Sequence, residues 1–240
     1  MKEIHSKDSV GSVVAADFKT SAVFNRHGID FCCGGMQTLE EAAATAGIDP
    51  ATLISELAVA LKSPDESAAY DEWPLGRLIA HIESRHHHYV ETHIPVIQEM
   101  LDKLCRVHGH RHPELPEVRE HFGQGAAQLL EHMKKEEKVL FPMIRNMLLA
   151  AEEGRGAESL PYSVSMPIRM MRHEHETEGA RFAGIANITG NYTVPDDGCT
   201  TYRAAYALLK EFESDLHRHI HLENNILFPK AMEMECGSAV

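Results

Sequence analysis

Two segments of the chain carry the same five residues at the same spacing. HMKKEEKVLFP (132–142) and HIHLENNILFP (219–229) agree at His, Glu, Leu, Phe and Pro. Each holds His-x-x-x-Glu, at His132/Glu136 and at His219/Glu223, and a four-residue step puts both side chains on one face of a helix. What matters is which face. The apolar stripe around the second pair runs Leu209, Phe212, Leu216, then His219, Glu223 and Ile226. Leu129, His132, Glu136, Val139 and Met143 follow the same rhythm, so both polar pairs occupy core positions. An ionised carboxylate buried without a counter-charge is very costly, and neither stripe contains Lys or Arg. A metal ion is the natural counter-charge.

Two further stripes add histidines. One runs His87, Val90, Ile94, Ile97, Leu101 and Leu104; the other runs Ile168, Met171, His175, Glu178, Phe182 and Ile185. Four inward histidines and two inward glutamates then converge from four helices. That set suits two ions, each with imidazole ligands, bridged by two carboxylates, with room for an oxo bridge and an exogenous ligand. Mixed nitrogen and oxygen ligation without thiolate favours iron first, then manganese, over structural zinc. Any one of these histidines taken alone would read as a hydrogen-bonded core residue. Register is softer at the tips: His86 also fits a stripe, His173 competes with His175, and His217 and His221 compete with His219. Glu178 reads either as an acid beside the centre or as a partner for the metal cage. His108, His110 and His112 fall in a loop and are expected in solvent.

The elements that must position these residues are all helices. Breaks at 108–116, 152–161 and 187–198 separate four long helical patterns, and no strand-like alternation competes, so the fold class is all-α with an up-down four-helix bundle. Pro95 is expected to kink the first long helix. Residues 1–62 read as a small helical domain. One helix is expected across 12–28, closed by Gly28. Thr38 and Glu41 form a capping-box pattern for a helix ending near Gly47, and Asp49–Pro50 opens another that runs to about Lys62. The polar segment 63–72 reads as a linker, which leaves 73–236 for the bundle.

Of the 240 residues 17 are His, and the formal charge is −13. A surface that acidic repels phosphate backbones, so no nucleic-acid partner is expected. No run of apolar residues is long enough for a membrane span. The first ten residues lack an apolar signal core, so the expected location is cytoplasmic. The five cysteines are an odd number without a CxxC pair, which argues against a disulfide framework and a Cys-only cluster site. Cys32 and Cys33 are adjacent, and a disulfide between neighbours is strained. They precede the helix that begins near Thr38, whose dipole would lower a thiol pKa. Two readings stand for them: thiolates that receive or hand on iron or a nitrosyl species, or two small apolar residues in a tight Gly-rich turn. Cys105, Cys199 and Cys236 read as structural or incidental.

DFCCGGMQTLEEAA, HMKKEEKVLFPMI, HEHETEG and HIHLENNILFP together resemble the hemerythrin-like superfamily, and more closely its iron–sulfur cluster repair di-iron proteins. The resemblance covers nearly the whole chain. It implies a di-iron centre, μ-oxo and dicarboxylate bridged, on His87, His132, Glu136, His175, His219 and Glu223. It also implies repair of iron–sulfur clusters damaged by nitrosative or oxidative stress through iron supply, damaged iron–sulfur proteins as clients, and a cytoplasmic homodimer. Two alternatives accompany it: a di-iron nitric-oxide reductase, and a sensor or carrier that binds O2 or NO. One departure weighs against the carrier. Oxygen-carrying hemerythrins place a second histidine four residues after a ligand, whereas Gly179 stands four after His175.

Overall fold

The computed structural model describes residues 4–62, 70–156 and 160–237. It is helical, and among the described residues the sole β-type pairing is the isolated bridge Ser9–Thr38. The single helix expected across 12–28 is instead α1 (Val10–Ala16), a 3-10 turn at Phe18–Thr20, and α2 (Ser21–Arg26). Asp17 causes the break. Its backbone is extended and its carboxylate accepts from the Lys19 N–H, a local bond that competes with the helix. Gly28 closes α2 with φ +65°, as its position predicts. Thr38 and Glu41 form the reciprocal capping box that starts α3 (Leu39–Ala46), and Gly47 ends it in the left-handed region. Asp49 caps α4 (Pro50–Ala60), with Pro50 in its first turn. Of the expected linker, residues 63–69 lie outside the described residues; Tyr70–Glu72 is one 3-10 turn, its tyrosine packed edge-on against Trp73.

The long helices are each interrupted by one wide turn, except the third. α5 (Leu75–His81) passes through a π-turn at Ile82–His87 into α6 (His88–His108), which is unbroken at Pro95. α7 (Leu115–Lys135) passes through Glu136–Leu140 into α8 (Phe141–Glu152). α9 spans Ser165–Ile188, and α10 (Thr200–Leu222) passes through Glu223–Leu227 into α11 (Phe228–Glu235). The second and third of these turns precede Pro142 and Pro229. A proline ring clashes with the carbonyl four residues back, and widening the turn moves that carbonyl aside. The extra residue also shifts the buried stripe. Val139, expected inside, is 50% exposed, while Leu140 and Ile144 are buried.

Contacts divide the chain into two compact units. One comprises Ala80–Asn146 and Ser165–His217. In it α6 packs on α7 and α7 on α9. Phe182 stacks on Phe212 at 5.6 Å, and Phe122 meets both edge-on. Tyr89 reaches Phe212 at 6.0 Å, so all four long helices contribute a ring to one core. This unit is the four-helix bundle that the periodicity predicts.

The other unit comprises Met1–Ile79, Met147–Val164 and Arg218–Val240. Here α1 packs on the Glu223–Leu227 turn. His221 is buried between the rings of Phe18 and Phe31, at 5.9 and 5.8 Å, and Arg218 lies over Phe18. Burial pushes the His221 imidazole down to about 4, against a weaker upward pull from a hydrogen bond to the Phe31 backbone. The unfolded chain therefore takes up this proton near pH 6.5, before the folded one does. Stability from this group is complete above pH 6.5 and declines as pH falls toward 4, by up to about 3 kcal/mol. The fall in thermal midpoint between pH 7 and pH 5 should be smaller in His221→Gln than in wild type; equal falls would contradict this assignment.

Candidate metal centre

Three of the sequence-selected residues meet a fourth inside the bundle. His87 ends the first π-turn, His132 lies in the last turn of α7, Glu136 opens the second π-turn, and His175 sits mid-way along α9. All four are buried, Glu136 completely. Glu136 Oε2 lies 3.3 Å from His87 Nε2, and Glu136 Oε1 lies 3.3 Å from His132 Nε2. His132 Nε2 is in turn 3.0 Å from His175 Nε2. Behind the first two rings stand further carboxylates. His87 Nδ1 bonds Glu137 Oε1 at 2.7 Å, and His132 Nδ1 bonds Glu174 Oε2 at 2.8 Å. Lys135 holds the other oxygen of Glu174, and the bond from His132 is the main reason that this carboxyl falls to about 2.

That arrangement has a direct chemical consequence. A carboxylate accepting at Nδ1 fixes the tautomer and leaves the Nε2 lone pair pointing inward. Both inward lone pairs face Glu136, whose two oxygens have no hydrogen-bond donor among the described residues. Acceptors that converge on acceptors repel one another, and a cation among them turns the repulsion into coordination. The donor set therefore fits a metal ion. His219 and Glu223 repeat the local geometry on α10 and its π-turn, 3.4 Å apart and both buried, where they continue the stripe of Leu209, Phe212 and Leu216.

The competing histidines separate. His86 is buried, but its Nδ1 bonds Asp215 at 3.0 Å. His173 is exposed, His217 is partly buried, and His221 belongs to the ring cluster described above. Of the three loop histidines, His110 is exposed as expected, whereas His108 and His112 are partly buried. They pack edge-on against Tyr202, and His112 bonds both Glu114 and Asp197. Glu178 is an ion-pair partner: Arg181 lies 3.2 Å away, and Gly125 leaves the room, since a Cβ there would stand 2.9 Å from the carboxylate. A groove of about 500 Å³ between α7 and α9, lined by Gln128, His132, Lys135, Glu174 and Thr177, reaches His132 from outside.

The cysteine turn is held separately, inside the unit that contains α1–α4. Cys32 and Cys33 are free thiols 4.0 Å apart. Asn224 and Asn225, the two residues after Glu223, donate to the Cys32 carbonyl, and Asn225 also donates to that of Phe31. The lowered thiol pKa expected from the α3 dipole is not found at Cys32. A hydrogen bond to Cys33, burial and the charge of Asp30 all push it well above the ordinary thiol value. The thiol with thiolate character is Cys199, pulled down to about 7 by the Tyr202 N–H and by His108. The larger of these causes is local, three residues on at the start of α10, and the second, His108, lies 91 positions away. At pH 7 iodoacetamide should label exposed Cys199 at least tenfold faster than Cys32, as peptide mass mapping would show.

Residues 6–61 match a family described as a domain of unknown function, DUF542, and residues 78–231 match the hemerythrin HHE cation-binding domain. The chain is 36% identical over 232 residues to the "Iron-sulfur cluster repair protein YtfE" of Yersinia pestis strain Pestoides F, covering 96% of this chain and 99% of that protein. The protein of the same description from Yersinia pseudotuberculosis serotype O:1b strain IP 31758 matches at the same identity and coverage. Paired histidines and glutamates at core positions, an N-terminal Cys-Cys-Gly-Gly turn and this near-full-length identity agree, and the chain belongs to the hemerythrin HHE cation-binding family and, within it, to the iron–sulfur cluster repair proteins.

Proposed function

We propose that the protein repairs damaged iron–sulfur clusters by supplying iron from a labile di-iron centre, held by His87, His132, Glu136, His175, His219 and Glu223. The observation that carries the reading is Glu136: a fully buried carboxylate whose two oxygens each face an inward imidazole nitrogen. Glu223, its counterpart in the second repeat, is the second bridge. Iron is both resident ion and cargo here, and it supplies an exchangeable cation that changes oxidation state. The protein's own residues do the rest. Glu137 and Glu174 orient two of the rings, the buried helix faces exclude water, and Cys32 and Cys33 pass iron onward. Gly179 in place of a further histidine leaves one ion with fewer protein ligands, which suits release better than storage. Damaged iron–sulfur proteins are the clients, with a cytoplasmic homodimer as the working form. The functional division is 1–62, 63–72 and 73–236.

The groove that reaches His132 is the one feature that favours a second reading, in which nitric oxide enters there and is reduced. Catalytic N2O formation with an electron donor supports that reading, and a single stoichiometric burst does not.

Protein isolated anaerobically with ample iron should hold two irons per chain. Glu136→Ala or Glu223→Ala should reduce this to below one and lower the rate of reactivation of a nitric-oxide-damaged [4Fe–4S] protein at least tenfold. Cys32→Ala/Cys33→Ala should slow reactivation and leave the iron content unchanged. Zinc alone in the wild-type protein, or reactivation indifferent to Glu136→Ala, would overturn the proposal.

A further inference from the structure

The Cys-Cys-Gly-Gly turn contains a third potential ligand. Asp30 lies beside the two thiols, and one oxygen of Asp30, Cys32 Sγ and Cys33 Sγ all lie within 4.8 Å of one another. Asp30 Oδ1 accepts the backbone N–H groups of Cys32 and Cys33, each at 2.9 Å, and lies 3.1 Å from Cys32 Sγ. The carboxylate thus folds the turn over itself and brings both sulfurs to one side. We infer that Asp30, Cys32 and Cys33 form a second metal site, open on the solvent side, that takes a thiophilic divalent ion, ferrous iron in the repair reaction. The inference rests on the iron-transfer reading above and adds to it the ligand that makes the thiols a site.

The geometry suits an ion without rebuilding the turn. An ion about 2.3 Å from each sulfur, with the sulfurs 4.0 Å apart, makes an S–metal–S angle of about 120°, close to trigonal or tetrahedral ligation. Asp30 is exposed and Cys33 is only partly buried, so an ion has a way in and out. Three protein ligands leave at least one position for water or for a client's ligand, the form of an exchange site rather than of a closed structural one. Loading moves no electrons: one ferrous ion replaces two thiol protons, which pass to solvent, and iron remains ferrous.

The surroundings hold the three ligands in place. A Cβ at Gly34 would stand 2.8 Å from the Asp30 carbonyl, so only glycine lets the chain turn back over the aspartate. A Cβ at Gly35 would stand 2.4 Å from Asn225 Oδ1, and one at Gly11 would meet the same atom at 2.4 Å. Asn225 is therefore wedged between two glycines while its amide group holds the carbonyls of Phe31 and Cys32. The turn is built around the cysteines from both sides. Two buried apolar residues would need no such clamp.

Cobalt(II) tests the site in the full-length, iron-loaded protein under argon. A thiolate-to-cobalt charge-transfer band should grow and saturate at one cobalt per chain. It should be absent in Cys32→Ser/Cys33→Ser. Asp30→Asn, which keeps an oxygen for the two backbone N–H groups, should weaken cobalt binding at least tenfold with an unchanged thermal midpoint. Cadmium NMR on the wild type should report mixed sulfur and oxygen ligation, and this readout does not depend on any variant folding. No band, an Asp30→Asn affinity equal to wild type, or an all-sulfur cadmium shift would each overturn the inference. Reactivation of a damaged cluster by the same variants separates it from the parent reading. If the double serine variant stops reactivation while Asp30→Asn binds cobalt normally, the thiols transfer iron without the aspartate, and this inference alone falls. If cobalt binds as described but the double variant still reactivates clusters, the site stands and its part in repair falls.

Discussion

A carboxylate with no exposed surface, set between two imidazoles that offer it lone pairs, is the constraint around which this bundle is organised. Leaving Glu136 ionised and unmatched in that position would cost several kcal/mol, a large part of the stability of a domain this size. The surrounding carboxylates do not relieve the cost. Glu137 and Glu174 take the outward Nδ1 protons of His87 and His132 and so keep the inward nitrogens basic. Each added acid makes the interior more dependent on a cation. A net charge of −13 on the chain points the same way, since negative charge distributed over the protein favours uptake of a positive ion.

The π-turns follow from the same need. A regular helix presents a face every three or four residues, and a metal ligand there must share the face with the hydrophobic core. Widening the helix by one residue at Glu136 and at Glu223 lets each glutamate leave the regular path, while Leu140 and Leu227 resume the core. Proline at 142 and 229 makes the wide turn the less strained choice. A residue that destabilises an ordinary helix here removes the alternative to the geometry the site requires. His87 ends a turn of the same kind, so three of the proposed ligand positions coincide with local departures from α geometry.

Much of this was legible from spacing. The stripes through His87, His175 and His219 are buried residue for residue, because helical period and burial are linked wherever the helix is regular. The stripe failed at Val139, three residues past Glu136, where the period is no longer 3.6; the doubled LFP was the available signal. Asp17 shows the complementary failure: its side chain bonds the backbone two residues on, a local competition that apolar periodicity does not register. The pKa of Cys32 was misread for a third reason. The α3 dipole is outweighed by a local hydrogen bond to Cys33, by the nearby charge of Asp30, and by a burial that only tertiary structure supplies. His86 and His87 are neighbours in sequence and both buried, and only their partners, Asp215 and Glu136, distinguish a core histidine from one at the centre.

The two repeats diverge where they stop serving the same purpose. Both place a glutamate first in a π-turn, and both resume with Leu-Phe-Pro. Between these, one has Glu137–Lys138 and the other Asn224–Asn225. Glu137 turns back to orient His87 inside the bundle. The asparagines turn outward and hold the carbonyls of the cysteine turn. An amide suits that task and a carboxylate does not, because the atoms to be held are acceptors and need a donor. Gly11 and Gly35 leave the room for Asn225, since a Cβ at either would stand 2.4 Å from its oxygen. The same five-residue turn that opens with Glu223 therefore also fixes the position of Cys32, with one residue between the carboxylate and each amide at most. In the proposed ligand set, one short turn carries both the Glu223 carboxylate and the asparagines that anchor the thiols.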